Sequence, residues 1–249
     1  LLAALKNGDP AVRRTAIEAL VVLRDDRAVA PLGDLAARET DAIVRAAAAK
    51  AAHDLSRHEA LAAHWSFDAA DGRIAIDVSG GGSDGEIIGC MPVEGKIGHA
   101  LKFGEGAYIE LGKPQHLPIA DTPLTVAAWI KSDAPNGVVV ARGGAYCGFS
   151  LYLKDGLPKF GIRCAQDSPA AIAAGREPVG GQWTHLAGVI QSDRVEVYVN
   201  GKLAGSETSP GYIPGNCGQG MEIGYDVASS PAEIIDHFQG IIDEVKVFH

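Results

Sequence analysis

Methionine occurs only twice in this 249-residue chain, aromatics make up 6% of it, and cysteine occurs four times. No apolar run approaches the ~18 residues of a membrane-spanning helix, and the opening residues lack the basic, apolar and small-residue order of a signal peptide. The chain begins with Leu1 inside a periodic helical pattern, so it reads as a fragment and the missing signal carries no information on localisation. Cys90, Cys147, Cys164 and Cys217 form no C-x-x-C pair and no zinc spacing. Bases are outnumbered, 22 against 31 acids, which excludes the basic face that nucleic-acid binding needs.

Glycine is scarce only at the start. Residues 1–63 hold 19 alanines but only Gly8 and Gly33, and the other 29 of the 31 glycines lie downstream. Charge divides at the same place: nine acids balance nine bases up to Ala63, then 22 acids face 13 bases and carry the whole net charge of -9. Two domains are therefore expected, in a chain long enough to bury a core without metal or disulfide.

In the first domain, "GDPAVRRTAIEALVVL" and "ETDAIVRAAAAKAA" each start in Asp and share a Val-Arg pair, at 12–13 and 44–45. "LLAAL" and "PLGDL" match through Leu2/Leu32 and Leu5/Leu35. An offset of 30 to 32 residues with apolar residues at helical spacing marks stacked helical hairpins. Asp9 before Pro10 supplies an N-cap followed by proline at the first helical position. "DPAVRRTAIEAL" resembles the first helix of HEAT repeats. The resemblance covers residues 1–57 and implies a scaffold for protein contacts, with further repeats expected upstream; an Ala-rich hairpin packing on its neighbour is the alternative. "HEALAAH" is similar to the zinc motif H-E-x-x-H, but histidines six apart point to opposite helix faces, so residues 58–63 are read as a linker.

From His64 the period changes to two. "LTVAAWIK", "THLAGVI" and "VEVYVNGKL" are β-branched or aromatic runs separated by turn residues, which argues for antiparallel sheets. Asn200-Gly201 and Asp155-Gly156 are hairpin turns that need positive φ. Without helices between strands, a parallel sheet is excluded and a sandwich or jelly roll remains. The expected fold class is thus α+β by segregation, a short helical-repeat segment and then an antiparallel β-sandwich over 64–249. "DVSGGGSDG" matches G-x-G-x-x-G through Gly80, Gly82 and Gly85, but no helix pattern follows it, so the dinucleotide reading fails. Cys147 and Cys164 flank the Asp155-Gly156 turn almost symmetrically, which sets them across a hairpin; a disulfide there and four free thiols are both open.

"HWSFDAADGRIAIDVSGGGSDGEI", "GKIGHALKFGEGAYIELG", "LTVAAWIKSD", "GQWTHLAGVIQSDRVEVYVNGKLAGS" and "FQGIIDEVKVF" stand in the order found in laminin-G-like, concanavalin A-like domains, which residues 64–249 resemble. These five motifs are specific for fold; the sandwich itself hosts lectins, spacers and hydrolases. The resemblance implies a concanavalin A-like jelly roll in exported bacterial proteins, periplasmic, cell-surface or extracellular. It also implies one structural calcium ion joining Asp77 to Asp243, with Asp84 and Asp68 nearby; carboxylates that only bond their own turns are the alternative.

For a sugar platform the loop candidates are Arg142, Tyr146, Tyr212 and Tyr225, while Trp129 and Trp183 sit in apolar strand patterns and are expected in the core. No catalytic residues are identified. "EIID", residues 233–236, spaces its acids by three, which points them to opposite faces of a strand. There is no nucleophile elbow or zincin motif, and His185 is read as structural. The expected function is non-catalytic recognition of a glycan or cell-surface polysaccharide, with proteins met through the helical repeats. A structural module without sugar binding is second and a glycoside hydrolase third.

Overall fold

Asp9 starts the first helix as its place before Pro10 predicts: its Oδ1 accepts from the Ala11 amide at 2.8 Å. Helices α1 (Pro10–Val22), α2 (Val29–Arg38) and α3 (Ala42–Ala60) follow in order. Asp41 caps α3 in the same way, accepting from the Ile43 and Val44 amides at 2.9 and 3.0 Å. Their apolar stripes meet in a core of Ile17, Leu20, Leu32, Leu35, Val44 and Leu55. Beside it the Arg13 guanidinium forks onto both oxygens of Glu39, at 2.7 and 2.9 Å. Asp9→Ala is expected to cost about 1 kcal/mol of helical-unit stability, read as a lower urea midpoint and faster amide exchange at Ala11.

The computed structural model describes residues 1–23, 25–69, 72–114, 117, 120–143, 147–165, 168–215, 217, 220–226 and 237–249, with backbone alone at 26 and 56–60. The chain divides into two units, Leu1–Leu61 and Ala62–His249. The expected linker at 58–63 is corrected: α3 runs to Ala60 and the first strand begins at Leu61. The alanine-rich sequence gives the helix no reason to stop before the alternating "LAAHW" takes over.

Strands follow as β1 (Leu61–Trp65), β2 (Ile74–Ala75), β3 (Gly85–Ile88), β4 (Met91–Glu94), β5 (His99–Phe103), β6 (Tyr108–Glu110), β7 (Leu124–Ser132) and β8 (Gly137–Gly143). Then come β9 (Gly148–Lys154), β10 (Leu157–Arg163), β11 (Ala171–Ala174), β12 (Thr184–Ile190), β13 (Arg194–Val199), β14 (Lys202–Thr208), β15 (Met221–Ile223) and β16 (Gly240–Phe248). The first sheet runs β14-β13-β12-β7-β16-β5-β4, with β1 also on β16; the second runs β11-β10-β9-β8-β15-β6-β3-β2. The two antiparallel sheets form the expected jelly-roll sandwich. β2 and β3 pair antiparallel on either side of "DVSGGGSDG", so that stretch is a connection between strands.

Alternation decides which side chains fill the sandwich. Leu124, Val126, Ala128 and Ile130 of β7 face Phe149, Leu151 and Leu153 of β9 and Phe160 and Ile162 of β10 within one buried cluster. The two glycine hairpins form as read: Asp155 and Gly156 have φ of 55° and 76°, Asn200 and Gly201 of 48° and 76°. The indole in the core is that of Trp65, which is fully buried and donates from Nε1 to the Ser83 carbonyl at 2.8 Å. Trp129 is not in the core: it falls on the outer phase of β7, half-buried, edge-on to His185 with ring centres 5.2 Å apart. Trp183 is half-buried just before β12, outside the core cluster.

The hairpin disulfide is also corrected. Cys147 bonds Cys217, with Cα atoms 5.4 Å apart, and Cys164 is free. The register Arg163↔Gly148 does place 147 and 164 next in line. However, Gly143 and Gly148 pack backbone to backbone where β8 meets β9, at positive φ and with no room for a side chain. Cys147 there meets the segment entering β15, while Cys164 Sγ lies 3.7 Å from the Gly211 carbonyl.

Candidate functional site

The outer face of the second sheet carries a row of acidic side chains. In β6 the core takes Ile109 and leaves Tyr108 and Glu110 outside; in β15 it takes Met221 and Ile223 and leaves Glu222 on the other side. Register aligns Glu86 with Glu110, Glu110 with Glu222, Glu222 with Ala141 and Ala141 with Ser150. One row therefore crosses β3, β6, β15, β8 and β9, with three glutamates side by side. Like charges directly opposite on neighbouring strands are destabilising, so the three carboxyls are not all ionised without cost.

Glu222 is only 5% exposed, and the nearby Asp226 is 1% exposed. Burial, with the Glu110 and Asp226 charges adding to it, pushes the Glu222 carboxyl from 4.5 up to about 8. It is therefore protonated at neutral pH and offers an O–H. Glu110 Oε1 accepts from the Gly112 amide at 2.9 Å. Ser150 is fully buried, and its hydroxyl has no hydrogen-bond partner among the described residues. A buried hydroxyl left unpaired costs about 1–3 kcal/mol.

Because the folded chain holds the Glu222 proton more tightly than the unfolded chain, its contribution to stability is complete below about 4.5. It is lost as pH rises toward and through about 8. Melting temperature is expected to fall across that window. Glu222→Gln, which cannot ionise, is expected to flatten the fall, as thermal scans at several pH values would show.

An aromatic wall borders the row. Tyr108 precedes Glu110 on the same face, and its ring centre lies 5.7 Å from that of Tyr225. Tyr225 stacks on His237, with centres 3.9 Å apart and planes within 6°. Gly224 makes this placement possible: at φ 87° it turns the chain out of β15, and a Cβ there would strike the Phe103 ring at 2.4 Å. His237 is fixed from the other side by a bridge to Val138, and its Nδ1 is buried without a hydrogen-bond partner among the described residues. All three rings are half-buried, which leaves them surface to offer.

Three of the expected sugar residues, Arg142, Tyr212 and Tyr225, are among the described residues. Tyr225 belongs to the aromatic wall. Arg142 falls in register with Met221 and Phe149, on the inner phase of β8, and its Nη1 is buried without a partner among the described residues. Burial lowers its pKa. Tyr212 packs on the core and lines a cleft of about 380 Å³ with Thr125, Gln191, Ser192 and Phe248. Tyr146 and the "EIID" string lie outside the described residues.

The four aspartates proposed for calcium divide between two turns. Asp77 accepts from the His64, Ser79 and Ser83 amides, each at 3.0 Å, and Asp84 accepts from the Asp77 amide at 2.8 Å. Asp243 accepts instead from the Lys96 and Ile97 amides at 2.8 and 3.0 Å, and Asp68 from the His99 amide at 2.8 Å. Among the described residues no group of three or more His, Cys, Asp or Glu side chains gathers for a metal. These carboxylates hold loops, and Asp243 Oδ1 is buried without a hydrogen-bond partner among the described residues. His185 packs on Trp129, and burial together with Lys246 lowers its pKa.

Sequence reasoning missed Tyr108, Glu110, Glu222 and His237. The signal was present for three of them: "YIE" and "MEI" carry polar residues at alternate positions beside core isoleucines. That these short strands are neighbours could not be read from strings more than a hundred residues apart.

The geometry agrees with the comparisons. The family model of the concanavalin A-like lectin/glucanases superfamily matches residues 103–249, and that of HEAT repeats matches residues 1–62. No curated protein matches the chain. Among solved structures, domain 4 of AbnA, a GH43 extracellular arabinanase from Geobacillus stearothermophilus, in complex with arabinotriose, is similar at 25% identity and a TM-score of 0.60. That match covers 76% of this chain and 92% of that one. The receptor-binding domain of the botulinum neurotoxin C/D mosaic serotype follows at 13% identity and a TM-score of 0.56, over 77% of this chain and 48% of that one. The binding domain of botulinum neurotoxin DC in complex with SialylT has 11% identity and a TM-score of 0.57, over 76% and 48%. The chain spans about half the length of these toxin domains, and at such identities the likeness is one of fold. By its sandwich, which makes up more than half of the sequence, the chain belongs to the concanavalin A-like lectin/glucanase superfamily, with HEAT repeats preceding it.

Proposed function

We propose that the sandwich is a non-catalytic glycan-recognition module whose ligand lies on the outer face of the second sheet, and that the helical repeats contact proteins. The observation that carries this reading is the half-buried Tyr108–Tyr225–His237 wall beside the row of Glu110 and Glu222. A sugar ring offers an apolar face for stacking and hydroxyls that donate and accept. The wall supplies the first complement, while the Glu222 and Glu110 carboxyl groups supply the second. The arabinanase domain in complex with arabinotriose supports the same reading by similarity.

An exported location is consistent with the Cys147–Cys217 bond. Titration with arabino-oligosaccharides and a wider glycan panel, followed by calorimetry, tests the proposal. Saturable binding is expected, and silence across the panel would favour a structural module instead.

One observation favours a second reading. Glu110 and Glu222 face each other across β6 and β15, and burial holds the Glu222 carboxyl protonated, the state that the acid of a glycoside hydrolase needs. Release of reducing ends from any polysaccharide, lost in both Glu110→Gln and Glu222→Gln, would replace recognition by hydrolysis.

A further inference from the structure

We propose that Arg142 holds an oxyanion, the carboxylate, sulfate or phosphate group of an acidic ligand, at the end of the sandwich where β8, β9 and β15 meet. This site is separate from the outer face described above and does not depend on it. Arg142 stands one residue before the end of β8, flanked in register by Met221 of β15 and Phe149 of β9, both 0% exposed. Its side chain therefore leaves the sheet on the core side, between apolar neighbours.

The guanidinium there has no counter-ion. Nη1 is buried without a hydrogen-bond partner among the described residues, and burial acts on the pKa of Arg142 with no carboxylate to oppose it. Arg13 of the same chain shows the usual arrangement, its guanidinium forked onto both oxygens of Glu39. A buried charge is tolerated when paired and is costly when it is not. The surroundings of Arg142 supply no partner. The adjoining strand-end positions are glycines: Gly143 and Gly148 pack backbone on backbone, the Gly143 amide donates to the Gly220 carbonyl, and the Met221 amide donates to that of Gly112. Glu222, next to Met221, points to the opposite face and is protonated at neutral pH.

An oxyanion completes this arrangement. A guanidinium is planar, stays charged and offers five N–H donors, and its fork matches two oxygens of a carboxylate, sulfate or phosphate group. Such a pair gains strength where water is scarce. Arg142 is half-buried as a whole, which leaves an edge of the fork for an incoming anion. The Cys147–Cys217 bond ties the segment after β8 to the segment before β15 at this same end, so the frame around the guanidinium is fixed before a ligand arrives. A neutral sugar hydroxyl brings no charge to offset that of Arg142.

The test uses the whole chain, with calorimetry and thermal unfolding in sodium sulfate, sodium phosphate and trigalacturonate. Sodium chloride at matched ionic strength and neutral galactotriose are the controls. Wild type is expected to bind at least one of the three anions saturably, and Arg142→Met and Arg142→Gln are expected to weaken that binding at least about tenfold. In chloride alone Arg142→Met is expected to melt no lower than wild type, because an apolar side chain of similar length removes an unpaired buried charge. Sulfate and phosphate also stabilise proteins by exclusion from their surfaces, an effect that does not saturate and is common to wild type and variants. Trigalacturonate bound more tightly than the inorganic ions assigns the oxyanion to an acidic sugar; sulfate or phosphate bound as tightly assigns it to a free ion. A lower melting temperature for Arg142→Met in chloride would show that the arginine already has its partner within the fold and would overturn the proposal. Equal anion binding in wild type and both variants, or binding of none of the three anions, would overturn it as well.

Discussion

Tyr225→Ala is expected to weaken glycan binding by roughly thirtyfold, about 2 kcal/mol, with the melting temperature little changed. The size follows from where the ring sits. Tyr225 is half-buried at the end of β15, stacked on His237 at 3.9 Å and leaning on Tyr108 at 5.7 Å, so it is held in place before any ligand arrives. A ring already ordered loses little entropy on binding, and truncating it removes both its own contact and the support of its neighbours. It lies outside the main core cluster, so the sandwich should tolerate the change. Isothermal titration with whichever saccharide binds wild type gives the ratio directly. His237→Ala should produce a smaller loss through the same stack, and Tyr212→Ala none, because Tyr212 lines a cleft formed with Thr125, Gln191 and Phe248. Equal binding by Tyr225→Ala and wild type would remove the wall from the site.

The Cys147–Cys217 bond is expected to carry the largest single share of the sandwich's stability. It joins residues 70 apart in sequence, and closing a loop of that length in the unfolded chain corresponds to about 4 kcal/mol on the chain-entropy account. The paired replacement Cys147→Ser/Cys217→Ser should lower the urea midpoint accordingly, and reducing agent should do the same to wild type. The consequence reaches the candidate site. Cys147 lies between β8 and β9, and Cys217 precedes β15, so the bond ties together the strands that carry Ala141, Ser150 and Glu222. Weaker saccharide binding after reduction is therefore expected as well. Unchanged midpoints with and without reductant would show that packing alone sets these loops.

What could be read from the sequence was local. Asp9 and Asp41 mark helix starts because a carboxylate before a helix has amides to accept from. Asn200-Gly201 and Asp155-Gly156 mark hairpins because few other pairs accept positive φ at both positions. Even the near-opposition of Cys147 and Cys164 was right as register. What failed was long-range. Which cysteine Cys147 meets depends on where the segment before β15 returns, and hairpin symmetry holds no information on that. Trp129 looked like core because its neighbours are apolar, yet its phase on β7 puts it outside, with Lys96 4.9 Å over its ring. Glu222 was hidden for a related reason. "MEIG" looks like any short edge strand until β15 is placed between β6 and β8, and only then does its glutamate face Glu110 and become buried.

The ligand's location on the sandwich decides between these readings. Backbone amide shifts measured while the protein is titrated with a saccharide ligand would report it residue by residue. The account predicts that the perturbed amides cluster at Tyr108, Glu110, Glu222, Tyr225 and His237. Perturbations confined to Gln191, Ser192 and Tyr212, or to the outer face of the first sheet around Trp129 and His185, would contradict it.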